Sequence, residues 1–274
     1  MTKKKQVQTK SNGSAVAILS EFEGVDTGFE EMGADDLQLP RLKLLQAMSP
    51  EIENDEALRA GQILNSVTGD SWSSEQGVKV VPCVYHKTYV EWAPVGSGAK
   101  GPVAVHQSKE VMNDTIRADD GKYYKNDNSG NYIEETANYF VLIIGGKGET
   151  SQAVVSMKSS QLTPSRNWNS KMKNLKIEKA PGEYFPAPMW SHSYFLKSEK
   201  AKNGDKTWYK WKVEVDGQLE KLPQIKEAKS FAEDLSAAKD KLQPEMEEAK
   251  ASKDNPPFLR SGCGREDAEF STLR

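Results

Sequence analysis

Between Arg166 and Lys212 the chain holds eleven Lys or Arg against four acids, Glu178, Glu183, Glu199 and Asp205. The same stretch holds nine aromatics, among them Trp168, Trp190, Trp208 and Trp211, four of the six tryptophans in the chain. Cations beside flat side chains are what a groove for single-stranded nucleic acid needs. Lysines neutralise phosphates, and aromatic faces stack unpaired bases without reading their identity. Alternation along Trp208-Tyr209-Lys210-Trp211-Lys212 places Trp208, Lys210 and Lys212 on one strand face and Tyr209 and Trp211 on the other. One tryptophan then belongs to a core and the other stands beside lysines. Trp190, His192 and Tyr194 share a face by the same rule. Arg166, Lys171, Lys173 and Lys176 add charge next to Trp168. The face formed by Tyr85, Lys87 and Tyr89 and the loop Lys122-Tyr123-Tyr124-Lys125 are further stacking and phosphate positions. The competing reading for any one of these aromatics is the core of a small barrel. For the basic residues of 166–176 it is a solvated helix face.

Catalytic chemistry has no comparable support. His86, His106 and His192 sit in separate segments without metal-ligand spacing. Cys83 lies within a strand pattern, and Cys83 and Cys263 form no CxxC. Gly145-Gly146-Lys147-Gly148-Glu149-Thr150 lacks the order of a phosphate-binding loop and has no helix signal after it, so it reads as a hairpin turn. The acid pairs Asp35-Asp36 and Asp119-Asp120 read as solvated charge. No catalytic residue, cofactor or metal is expected, and the chain reads as a non-enzyme.

Composition limits what can position such a groove. The 274 residues carry a net charge of -3, so binding must come from a local patch and not from the whole surface. Hydrophobic residues make up 36% of the chain, which predicts a modest core with disordered ends. Two distant cysteines fit a reducing cytoplasm. No apolar run approaches the ~20 residues of a membrane-spanning helix, so no membrane partner is expected.

Residues 1–36 read as a disordered segment, acidic from residue 20 to residue 36. Leu37–Met48 is apolar and alternating, an edge strand or a short helix, closed by a turn at Ser49-Pro50. Strand patterns follow at Gln62–Val67, Val78–Val84, Tyr85–Trp92, Tyr139–Ile144, Gln152–Met157, Met189–Lys197 and Lys206–Val215. Residues 119–131 form a hairpin or loop, and Leu162–Lys176 a short helix with basic residues in its C-terminal half. Asn203-Gly204 signals a two-residue hairpin turn. Ile225, Ala228, Phe231, Ala232, Leu235, Ala238 and Leu242 recur at helical spacing within residues 217–253, and residues 254–274 read as a flexible tail.

The segments LPRLKLLQAMSP (39–50), GQILNSVTGD (61–70), VVPCVYHKTYVEW (80–92) and TWYKWKVEV (207–215) resemble phage-encoded single-stranded-DNA-binding proteins of the OB-fold type. The resemblance covers residues 37–216. It implies a mainly β, α+β protein: an OB-like five-stranded β-barrel with hairpin insertions and a C-terminal helix. It also implies binding and protection of single-stranded DNA in replication or recombination in the host cytoplasm. Proteins of this kind often carry an acidic tail that docks replication or recombination partners. Here Glu266, Asp267, Glu269 and Phe270 form a short version, preceded by Arg265 and followed by Ser-Thr-Leu-Arg. Edge strands and the C-terminal helix leave a homodimer open. The alternative is a phage protein-interaction module, a host-polymerase regulator or scaffold, using residues 20–36, 37–48 and the helix at 224–242.

Overall fold

Thirteen strands and three α-helices carry the fold in the computed structural model, which describes Glu31 and residues 38–237. The expectations for the rest of residues 1–36, for 238–253 and for the tail with Glu266, Asp267, Glu269 and Phe270 lie outside the described residues. The chain divides into two units at Gln38, and every described element belongs to the one starting at Leu39.

The elements run β1 (Leu42–Leu44), α1 (Pro50–Asn54), β2 (Ile63–Asn65), β3 (Ser71–Trp72), β4 (Val78–Trp92), β5 (Ala104–His106), β6 (Thr115–Arg117), β7 (Tyr123–Lys125), β8 (Tyr132–Ile144) and β9 (Thr150–Lys158). Then come α2 (Leu162–Asn174), β10 (Lys176–Ala180), β11 (Glu183–Pro186), β12 (His192–Asn203), β13 (Lys206–Gln218) and α3 (Leu222–Ala237). The mainly β, α+β class expected from the sequence is the observed one. Several boundaries differ. Val78–Trp92 is one strand and not two, because a bulge between Pro82 and Val84 absorbs the break in alternation. Pro50 opens a helix, where its fixed φ and missing N–H are harmless. Asn203 pairs with Lys206, so the turn residues are Gly204 and Asp205, one position later than the dipeptide signal, with Gly204 at φ +57°.

β4 pairs with β8 from Val80 to Trp92, and β8 pairs with β9 from Thr136 to Ile144. The beginning of β4 pairs with β12, and β12 with β13 along its length. Every one of these pairings is antiparallel, and the sheet curls into a half-barrel. The first residues of β8 instead pair with β7, and β7 with β6, while β5 flanks β4. Strands β1, β2 and β3 make a small separate sheet, joined to β9 by a parallel bridge between Arg41 and Val154.

Alternation sorts the side chains into two clusters. Inside the curl lie Val78, Val80, Ala137, Tyr139, Val141, Val155, Met157, Tyr194, Leu196, Trp211 and Val213, with Trp168 and Met172 of α2 inserted among them. On the outer side, Phe140, Leu142, Val81 and Val154 meet Ala228, Phe231 and Ala232 of α3. Full burial of each large side chain contributes roughly 1.5–3 kcal/mol. The sequence assigned α3 an amphipathic pattern, and packing on its own sheet is where that stripe goes.

The free edge of β13 is closed by side chains. Gln46 Oε1 accepts from the Tyr209 N–H at 2.9 Å, and its Nε2 donates to the Tyr209 carbonyl at 3.0 Å. Gln161 Oε1 accepts from the Trp211 N–H at 2.9 Å, and Lys171 Nζ donates to the Val213 carbonyl at 2.8 Å. These bonds satisfy backbone groups that an edge strand would otherwise leave open. Gly61, at φ +92°, lets the Tyr209 ring close against the loop before β2; a Cβ there would lie 2.5 Å from the ring.

Candidate nucleic-acid interface

The aromatics singled out by the sequence divide sharply. Trp168 is 0% exposed, Tyr194 1% and Trp211 3%. Trp168 stacks on Tyr139 with ring centroids 4.3 Å apart and meets Tyr194 edge-on at 5.6 Å. Tyr139 in turn donates to Asn169 Oδ1 at 3.0 Å and contacts Ser165, which pins α2 against β8. Burial pushes the Tyr194 hydroxyl up to about 12. Trp168 and Tyr194 have no face to offer a base, and Trp211, although it borders a groove, is all but enclosed; all three are core. Trp190 is half-buried against the outer cluster, and Tyr194 points into the inner one. The two do not share a face as alternation predicts, because Met189–Ser191 forms a 3-10 turn and a bulge separates Ser193 from Tyr194.

The basic residues divide as well. Arg166, Lys173 and Lys176 are exposed on or after α2. Lys171 is exposed as well, but its ammonium is bound to the β13 edge. Lys210 pairs with Glu199 at 2.9 Å, and Lys212 with Glu214 at 2.7 Å. Glu214 also accepts from Lys197 at 2.6 Å, and the hydrogen bonds from Lys197 and Lys212 hold its carboxyl down to about 2. Tyr85, Lys87 and Tyr89 do share a face of β4. Tyr85 leans on Tyr139, Tyr89 is buried and Lys87 pairs with Glu135 at 2.6 Å. Lys197, Lys210 and Lys212 are therefore held by acids of the β12–β13 hairpin, whereas Arg166, Lys173 and Lys176 stay exposed.

Trp208 is the exception, and it leads to a site the sequence reading did not assemble. It stands at the rim of a groove of about 900 Å³ lined by residues 41–46, by Glu51, by Lys158–Gln161 and by Trp92 and Trp211. The groove continues over the outer face of β4, β8 and β9 past Thr88, Thr136, Asn138 and Ser156. Arg41, Lys43 and Lys158 supply its positive charge. A polar chain fixes the floor: Arg41 Nη1 donates to Ser156 Oγ at 3.4 Å, Ser156 Oγ to Asn138 Oδ1 at 2.7 Å, and Asn138 Nδ2 to Thr88 Oγ1 at 3.1 Å. Lys158 Nζ lies 5.6 Å over the Trp92 ring and 3.0 Å from Glu134. Lys43 Nζ meets Glu51 at 3.1 Å. The groove thus combines half-buried indole surfaces with cations and two acids, and it can hold a flat ring beside an anion.

Nε1 of Trp92 and of Trp208 is enclosed without an acceptor, as is that of Trp168. Arg41, Trp92 and Lys158 went unrecognised because they belong to three segments far apart in the chain: Arg41 within the run Leu37–Met48, Trp92 at the end of Tyr85–Trp92 and Lys158 just past Gln152–Met157. Only the pairing of β4, β8 and β9 and the Arg41–Val154 bridge bring them together. The parity of Trp92, on the face opposite Tyr85, Lys87 and Tyr89, was the available signal.

Among the described residues no group of three or more His, Cys, Asp or Glu could hold a metal ion, and no helix is long and apolar enough to cross a membrane. His106 binds Glu91 at 2.9 Å and His192 binds Ser191 at 2.8 Å, in different parts of the sheet. The model of one phage family, described as Pam3 phage gp34-like protein, matches residues 7–241. No curated protein and no solved structure matches the chain.

Proposed function

The chain belongs to the Pam3 phage gp34-like family, and from that premise we propose that this phage protein binds single-stranded DNA without catalysis. The observation that carries the reading is the groove in which Trp92 and Trp208 flank Arg41, Lys43 and Lys158. Phosphates would follow the cations and bases would stack on the indoles, with little sequence preference. The chain order β4, β8, β9, α2, β12, β13, with β4 paired to both β8 and β12, is compatible with a five-stranded OB barrel whose third and fifth strands are left apart. In that reading β8 and β9 are the second and third strands, whose face carries oligonucleotides in OB folds. The groove lies there. Binding and protection of DNA during phage replication or recombination in the host cytoplasm, with partners recruited through the C-terminal tail, is the role this chemistry suits.

The test is a Trp92→Ala, Trp208→Ala double variant titrated with oligo-dT. Affinity should fall at least tenfold while the far-ultraviolet spectrum and melting transition persist. Unchanged affinity in a folded variant would refute the groove. One feature favours the interaction-module alternative: the hairpin of β10 and β11 presents Tyr184 and Phe185, 57% and 42% exposed, to solvent. A host-polymerase regulator or scaffold would use such a surface. Nuclease-resistant capture of a partner, lost on Tyr184→Ser plus Phe185→Ser, would favour that reading.

A further inference from the structure

Beyond the barrel, the sheet continues into the insertion formed by β5, β6 and β7, and one row of cross-strand neighbours there has a consistent chemistry. Trp92 faces Tyr132 across the β4–β8 ladder, Tyr132 faces Tyr124 across β8–β7, and Tyr124 faces Ile116 across β7–β6. In-register partners of antiparallel strands project to the same side. The four side chains therefore form one line on the face that also carries Thr136 and Lys158. Tyr124 and Tyr132 stand with centroids 6.0 Å apart and planes 58° from parallel. Lys158 sits over Trp92, and Lys122 Nζ sits over Tyr132 at 4.2 Å. The three rings are half-buried, so each is anchored in the sheet and keeps some exposed surface. Asp120 fixes the row by accepting from Tyr124 Oη at 2.9 Å and from the Lys122 backbone N–H at 2.9 Å. Glu91 ties the insertion down from the other side of the sheet. It is 4% exposed and accepts from Lys125, Asn131 and His106 at 3.1, 2.7 and 2.9 Å.

We infer that the line Trp92–Tyr132–Tyr124, with Lys158 and Lys122, is a second stacking track that takes the continuation of a single strand leaving the groove. This rests on the proposed function, and it adds a specific consequence: the insertion sets the length of strand bound. A lysine parked on an aromatic face leaves that face when a base stacks there, and its ammonium then reaches the adjoining phosphate. Cation and ring alternate along the row, at Lys158 and Trp92 and again at Lys122 and Tyr132, as a repeating sugar-phosphate chain requires. A peptide has no such repeat of charge and flat rings.

The test compares oligo-dT of about 6 and about 15 nucleotides, within the range of site sizes of single OB modules. It uses the full chain, a Tyr124→Ala, Tyr132→Ala variant and a Lys122→Gln variant. The tyrosine variant should lose at least tenfold in affinity for the long oligonucleotide and keep its affinity for the short one. Lys122→Gln, which removes no packed ring, should lower the salt slope for the long oligonucleotide alone by about one. Equal loss on both lengths, or no loss on the long one in either folded variant, would overturn the track. If Trp208→Ala still weakens both lengths in that case, the groove stands without it. If the wild-type chain retains neither oligonucleotide at low salt, groove and track fail together.

Discussion

Two regions of this protein carry tryptophan next to lysine, and they serve different ends. In residues 166–212 the aromatics Trp168, Tyr194 and Trp211 fill the interior of the half-barrel. Among the lysines around them, Lys171 closes a strand edge, Lys210 meets a cross-strand acid and Lys212 an acid of its own strand. Across the outer face of β4, β8 and β9, sparser residues from four segments, Arg41, Trp92, Lys158 and Trp208, converge on one groove. Local density of a residue type measures what a segment contains. Convergence across ladders measures what the fold presents. Only the second makes an interface, because a ligand meets a surface and not a segment.

The contrast breaks most visibly through Trp168. Trp168→Ala should cost about 3–5 kcal/mol by emptying the aromatic cluster, read as a large drop in the denaturation midpoint. A variant as stable as the parent would mean the ring is not core. Next in size, Trp208→Ala should weaken oligo-dT binding by ~1–3 kcal/mol with little change in the midpoint, since its indole lines the groove instead of the cluster. If stability fell and affinity held, the two regions would have exchanged roles. Third, Lys158→Gln should reduce the salt slope of binding by about one, whereas Lys210→Gln should leave it unchanged, because both lysines have an acid partner but only Lys158 lines the groove.

A fourth prediction concerns the neutralised stripe itself. Glu214→Gln releases Lys197 and Lys212, and should raise the salt slope by up to about two if phosphates can then reach them. An unaltered slope would leave the stripe structural. The smallest effect is on acid stability. The carboxyl of Glu214 is held down to about 2 by its two lysines. A depressed folded value means stability that is present above the unfolded value, about 4.3, and is lost as pH falls toward 2. An acid titration of the midpoint should lose this contribution in Glu214→Gln, and identical acid profiles for parent and variant would show the pairs to be inert.

Much of the sheet was legible from local signals. Period-two runs marked the strands, the glycine turn before Glu149 marked the β8–β9 hairpin, and the Asn203-Gly204 signal located the last hairpin to within one residue. The stripe from Ile225 onward gave α3. The orientation of the aromatics was not legible, for a physical reason. Alternation divides a strand into two faces but does not say which is enclosed, and that is settled by α2 covering one side and α3 the other. The bulges at Pro82/Val84 and Ser193/Tyr194 also reset parity, which separates Trp190 from Tyr194. The groove was least legible of all. Arg41 just precedes β1 and Lys158 closes β9, with no aromatic beside either in the chain, and the polar link from Arg41 through Ser156 to Asn138 crosses from the approach to β1 over β9 to β8.

The central claim is that the Trp92–Trp208 groove stacks bases of a single strand, and intrinsic tryptophan fluorescence during titration with oligo-dT at several salt concentrations tests it most directly. The account predicts strong quenching, reversed by salt with a slope of several phosphates, and a clear loss of that quenching in Trp208→Phe. No quenching and no retention at low salt would contradict it, and would turn attention to the exposed Tyr184–Phe185 hairpin as a surface for a protein partner.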